Sequence, residues 1–215
     1  MTYLELVNSA LTRLRENSVS TVSQTTYSAM VGAFINDAKR QIEQAWDWNA
    51  NRQILTISTV ADTSTVTLTG AGLESKILSS WNDTKNARLR LQSQAWFDKQ
   101  NYGGVVASPN TPSNFCWTGD DATDSIIELW PTPDAVYSLK FNTVTNQADL
   151  SSDSTVLNIP PRPVFLLAVA MLAEEKGETG GSTSARYFEM ADKALSDSIA
   201  FDAAKHSTEN IWYEV

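Results

Sequence analysis

Apolar residues recur at three- and four-residue steps at both ends of the chain and at two-residue steps through its middle. Near the start Leu4, Val7, Leu11 and Leu14 share one helical face behind a capping pair, Thr2 with Glu5, which predicts a helix over residues 2–15. A second pair, Thr21 with Gln24, precedes Tyr27, Val31, Phe34, Ile35, Ala38, Ile42 and Ala45, and predicts a longer helix over residues 24–48. Beyond Trp48 the period changes. Ile54, Thr56 and Ser58 face one way, whereas Leu55, Ile57 and Thr59 face the other. Short β-rich runs follow at 65–69, 76–80, 87–91, 114–118, 125–130 and 137–145, separated by turn signals such as Thr69-Gly70-Ala71-Gly72 and Pro131-Thr132-Pro133-Asp134.

One interruption stands out in this series. Residues 93–100 have helical composition, and residues 101–114 are rich in Gly, Pro and Asn over a span too long for a simple hairpin. They predict an exposed loop that acts as a contact tip, with Tyr102, Gly103 and Gly104 as candidate partner-binding residues. Helical character then returns. Pro160, Pro161 and Pro163 fit a rigid entry, Val164 to Ala173 are apolar on every face, and Gly177 with Gly180-Gly181 ends that helix. A last helix opens near Ser182 or Thr183, with Tyr187, Ala191, Ala194, Ser198 and Phe201 on one stripe. The expected fold is α+β. N- and C-terminal helix pairs, residues 1–50 and 158–206, form a four-helix bundle; residues 51–157 are an inserted antiparallel β sandwich or barrel; residues 207–215 are a tail.

Composition narrows the chemistry. Sixteen Lys and Arg against 25 Asp and Glu leave a formal charge of −9, which opposes tight binding to a phosphate backbone. The single cysteine, Cys116, excludes an intramolecular disulfide, and the single histidine, His206, leaves no second soft ligand for a zinc site. Residues 1–16 lack the basic start of a signal peptide, and the apolar run at 164–173 is about half of the roughly 20 residues needed to cross a bilayer. No membrane association is expected.

Each remaining candidate has a plain structural reading beside its functional one. Trp46-Asp47-Trp48-Asn49 can offer a ligand platform or seal the end of a helix, and sealing is favoured. Trp81, Trp96, Trp117 and Trp130 invite a carbohydrate-binding reading, although their patterns place most of them in a core. Asp120, Asp121 and Asp124 can approach a cation, but the longer ligand ladder of a calcium-binding hand is missing, so a solvated turn is expected. Glu174 and Glu175 look like surface charge rather than a glycosidase pair, and residues 177–181 lack the lysine of a phosphate-cradling loop. Ile211, Trp212 and Tyr213 follow a polar stretch and are read as a partner-binding segment. No enzyme, metal or cofactor is expected.

Several of these segments resemble one family in order and spacing. They are Leu4-Glu5-Leu6-Val7-Asn8-Ser9-Ala10-Leu11, Phe34-Ile35-Asn36-Asp37-Ala38 running into Trp46-Asp47-Trp48, Ile159-Pro160-Pro161, an Ala-rich helix with the Gly177 break, and Ala185-Arg186-Tyr187-Phe188-Glu189-Met190-Ala191. Together they resemble the tail tubular A, or head-to-tail adaptor, proteins of podoviruses. The resemblance implies a virion protein assembled in the host cytoplasm. It also implies a homo-oligomeric ring, typically of twelve copies, set between a portal protein and a tail nozzle protein, with DNA passing without tight binding. Other virion rings, stoppers or tail-completion proteins, a carbohydrate-binding module and a glycoside hydrolase are the competing readings.

Overall fold

The computed structural model describes residues 1–103, 108–176 and 182–205, and the chain divides into two compact units. The first comprises Met1–Asn51 with the described residues from Gln147 onward; the second is Arg52–Asn146. The described residues are mixed α+β.

In the first unit α1 spans Tyr3–Arg13, and the Thr2–Glu5 capping box forms as expected, with each side chain bonded to the other's backbone N–H. The next helix, α2, spans Thr26–Gln44 and starts later than the Thr21–Gln24 pair suggested. Gln24 instead accepts from Ser20 N–H and Oγ, closing a turn, and Thr25 with Ser28 forms the capping box. Ser28 wins because its buried hydroxyl also donates to the Val22 carbonyl at 2.8 Å.

Two more helices complete this unit, α4 over Pro161–Glu175 and α5 over Ser182–Ala203. The first of them is apolar on every face because it packs against α1, α2 and α5 together. Leu166 meets Ala191 and Ala194, whose small side chains let the two helices approach closely. The expected stripe of α5 fails at its end: Phe201 is 78 % exposed, and Asp202 is buried instead. A period of 3.6 carries the buried face from Ser198 to Asp202, where the carboxylate accepts from the Trp46 indole at 3.1 Å and the Asn49 N–H at 3.0 Å. Gly32 of α2 is also a packing residue, since a Cβ there would stand 2.9 Å from Val22 Cγ1 and 2.3 Å from the Tyr3 hydroxyl of α1.

Residues 147–157, placed by the sequence reading within the inserted domain of residues 51–157, belong to the helical unit. Leu150 and Leu157 are buried in its core. The segment is held by side chains of α2 standing in for a neighbouring strand. Asn36 accepts from the Leu150 N–H at 2.9 Å and returns a bond to its carbonyl at 3.1 Å. One turn on, Lys39 and Glu43 form a fully buried ion pair at 2.9 Å. The Glu43 Oε1 accepts from Asn51 Nδ2 and from the Gln147 N–H, both at 3.1 Å, while the Lys39 ammonium donates to the Gln147 carbonyl. Outside this pair Arg40 binds Asp149 on the surface. The same segment meets α1, with Tyr3 N–H donating to the Thr155 carbonyl and Leu157 N–H to that of Met1.

The second unit contains two four-stranded sheets around one core. Strands β1 (Arg52–Ser58), β3 (Lys76–Asn82), β4 (Ala87–Arg88) and β8 (Ser138–Val144) form the first, in the order β1-β8-β3-β4. Strands β2 (Thr65–Thr67), β5 (Arg90–Leu91), β6 (Asn114–Asp120) and β7 (Ser125–Trp130) form the second, in the order β2-β7-β6-β5. The alternation in β1 is as expected, with Ile57 inward and Ile54 outward. Inner faces meet through Ile57, Leu139 and Phe141 on one side and Phe115, Ile127 and Leu129 on the other, where the Phe115 and Phe141 rings stand edge to face at 5.5 Å.

Residues 87–91 read as one strand but make two. Leu89 is buried at the corner, so the chain leaves one sheet at Arg88 and joins the other at Arg90. There β5 pairs parallel with β6, which corrects the wholly antiparallel expectation. Helix α3 (Gln94–Tyr102) covers the outer face of the second sheet, with Phe97 fully buried and Trp96 packed edge to face on Trp130 at 5.1 Å.

Two stability predictions follow from the polar seam of the first unit. Lys39→Met leaves the Glu43 carboxylate buried without its cation and is expected to cost about 3–5 kcal/mol in denaturant unfolding. Adding Glu43→Leu should not restore stability, because the Gln147 N–H and C=O then lose their partners as well. The second concerns pH. The hydrogen bond from Arg40 holds the Asp149 carboxyl below its ordinary 3.8. The stability it contributes is therefore present above that value and is lost as pH falls through the lower folded value. Thermal midpoints measured below about pH 4 should fall less steeply for Asp149→Asn than for the parent chain.

Candidate functional site

The expected contact loop is smaller than its sequence suggested. Helix α3 runs through Tyr102, and Gly103 caps it with its N–H on the Lys99 carbonyl at 2.9 Å. Only a glycine fits there, since a Cβ would lie 2.2 Å from that carbonyl oxygen. At the other end Asn110 N–H donates to the Thr132 carbonyl, Thr111 to the Tyr137 hydroxyl, and Ser113 N–H to the Trp130 carbonyl, so residues 110–113 are tied to the sheet rather than free. Tyr102, at the end of α3, is 84 % exposed. Gly104 lies outside the described residues, as do Gly177, Gly180, Gly181, His206, Ile211, Trp212 and Tyr213.

The tryptophans are mostly engaged in packing. Trp48 is 1 % exposed and donates to the Ile42 carbonyl at 2.8 Å, closing the end of α2. Trp46 is held by Asp202, and Trp96 with Trp130 and Phe97 forms an edge-to-face cluster. Trp81 is the exception at 41 % exposed. Trp117 and Asp120 share a hollow of about 280 Å³, below the roughly 300 Å³ where ligand pockets begin.

The acidic loop is a turn in which the carboxylates of Asp121 and Asp124 are already occupied. Asp121 accepts from Thr123 N–H, Thr123 Oγ1 and Asp124 N–H, and these bonds hold its carboxyl below the ordinary range. Asp124 accepts from Gly70 and Gly72 N–H at 3.0 and 2.9 Å, fixing a turn in which both glycines have positive φ. Among the described residues no three acidic, Cys or His side chains gather as a metal site. Glu174 and Glu175 lie exposed at the end of α4. Cys116 is buried under α3, its thiol 3.4 Å from Gln94 Oε1, and burial pushes its pKa up, so it is held as the unreactive thiol.

A feature the sequence reading did not single out is a groove of about 1120 Å³ between α1 and the start of α4. Its apolar floor includes Leu4, Pro161 and Phe165, and Arg13, Arg15 and Arg162 rise from its walls. The Arg13 guanidinium lies 5.6 Å from the Phe165 ring and 5.9 Å from that of Tyr187, a cation–π contact that orients it. Among the described residues no carboxylate comes within ion-pair distance of these three arginines. The carboxylate in the lining, Glu5, is spent on the Thr2 N–H. Residues 13, 15 and 162 come together only through folding, which is why no local pattern announces them.

Comparison with known proteins identifies one family, described as SU10 adaptor protein, which matches residues 1–211. No curated protein matches the chain.

The buried, protonated state of Cys116 can be checked directly. In the folded chain a thiol reagent at neutral pH is expected to modify it at least about 100-fold more slowly than in denaturant.

Proposed function

This chain belongs to the SU10 adaptor protein family, whose name points to a phage head-to-tail adaptor, and we propose that it is a structural virion protein forming a ring between portal and tail nozzle. The observation that carries this reading is the family match over residues 1–211, nearly the whole chain. The likeness to the tail tubular A proteins, drawn above from particular segments, supports the finer placement. In this reading the protein is not an enzyme, its four helices act as one bundle, and its partners are the portal, the nozzle and further copies of itself. Its place is the head-to-tail junction of the virion, reached by assembly in the host cytoplasm.

Charge supports a conduit. About twelve copies at −9 each would give the ring a charge of about −108, which repels the DNA backbone and lets a genome slide. No described helix is long and apolar enough to cross a membrane. Tyr102, standing out from the end of α3, is the side chain this reading assigns to contact with a neighbouring copy or the next tail component.

Electron micrographs of the chain mixed with its portal should display a closed ring on the portal, and duplex DNA should not be retarded by the free chain between about 50 and 200 mM salt. Tyr102→Ser is expected to leave the thermal midpoint of the free chain unchanged while reducing ring or tail assembly. Portal particles without a ring, or DNA retardation that weakens steeply with salt, would refute the adaptor reading.

A further inference from the structure

We propose that the groove between α1 and α4 is the seat of residues 209–215 of the next copy around the ring, an inference that rests on the ring reading above. The groove selects by charge. Three guanidinium groups without a carboxylate partner among the described residues stand over an apolar floor, on a chain whose net charge is −9. An occupant that matches must be acidic and must also carry large apolar side chains to cover Leu4 and Phe165.

The chain supplies such a segment. Glu209 and Glu214 bracket Ile211, Trp212 and Tyr213, and no Lys or Arg interrupts them. Seven residues in extended form reach about 23 Å, comparable to the roughly 17 Å length of the eleven-residue α1 that forms the groove's long wall. A nucleic acid would satisfy the arginines but not the apolar floor, and the acidic chain as a whole repels it.

Groove and segment are two different surfaces of one chain, so their union between copies is heterologous. Contacts of that kind propagate head to tail and close into a ring when the rotation allows. The segment would thereby link each copy to the next. Indole and phenol rings on the floor would exclude water from the arginine–glutamate pairs, strengthening them.

A charge exchange tests the proposal on the full chain. Arg13→Glu with Arg162→Glu, and separately Glu209→Arg with Glu214→Arg, should each lower the yield of complete rings on the portal about ten-fold or more. An equimolar mixture of the two variants should restore rings to within about two-fold of the parent, because every groove then finds a complementary segment on the other variant. Restoration also shows that neither variant is misfolded. If the parent chain forms rings and the mixture does not recover, the groove does not receive a neighbouring segment and the proposal falls while the ring reading stands. If chains carrying both exchanges form rings but the mixture does not, the segment folds back on its own copy, and the inter-copy link is wrong. Loss of oligonucleotide binding by the groove variant with rings unchanged would assign the groove to nucleic acid and overturn the proposal. Absence of rings from the parent chain would refute the ring reading itself.

Discussion

Both ends of the inserted β unit are tied, on the helical side, to one carboxylate. Glu43 receives Asn51, the last residue before the insertion, and Gln147, the first after it, while Lys39 compensates its charge and takes the Gln147 carbonyl. The chain returning from a sheet has backbone donors and acceptors that no helix ladder can satisfy, and burying them unpaired costs about 1–3 kcal/mol each. A hydrophobic pair at positions 39 and 43 would pack, but it would leave those groups orphaned. This explains a buried ion pair in a place where apolar residues are usually at least as stabilising. Asn36, one turn earlier on the same face of α2, does for Leu150 what Glu43 and Lys39 do for Gln147. The helix therefore serves residues 147–150 as a polar edge, and the position of the return segment follows from it.

That seam also marks where local pattern stops being informative. Helix periods, the Thr2 capping box and the inward set of β1 depend on neighbours within a few residues, and all are legible. The start of α2 was misread because Thr21–Gln24 fits the capping pattern of Ser or Thr followed three residues on by Glu or Gln, whereas Thr25–Ser28 does not, and Ser28 caps with a hydroxyl that also bonds Val22. Residues 147–157 carry no helical period and so fell within the inserted domain's bounds, yet the partners of Gln147 and Leu150 are on a helix face more than a hundred positions earlier. Leu89 could not announce that the chain changes sheets there, since a two-residue period continues across the corner. In the last helix the small-residue stripe was correct through Ala194, but the assumption that a buried position must be apolar selected Phe201 over Asp202.

The groove was not legible in the sequence. Exposed aromatics and acidic loops catch the eye in a sequence, and the structure gives most of those groups ordinary work: Trp48 and Trp46 close a helix end, Asp121 and Asp124 hold turns. The arginine groove was invisible because its cations are divided between α1, the turn after it and α4, and are outnumbered by the chain's acids. Net charge is an average over the surface, and it describes how the molecule as a whole meets a long polyanion, through exposed charges that act within the Debye length of about 8–10 Å. At a single patch the local arrangement decides.

In the proposed ring, the difference between the whole surface and a single patch would let one acidic protein satisfy opposed requirements. A conduit for DNA needs a repulsive field over its surface, whereas a ring needs attraction between identical copies that carry the same repulsive field. Spreading attraction over many surface ion pairs would be weak, at about 0–1 kcal/mol each, and readily screened by salt. Concentrating cations in a groove with an apolar floor would confine the attraction to a place where the proposed segment excludes water, and would leave the rest of the surface acidic. In that arrangement the excess of acids over bases would cost the assembly little at its contacts, while the exposed acids would still repel a polyanion passing close to them.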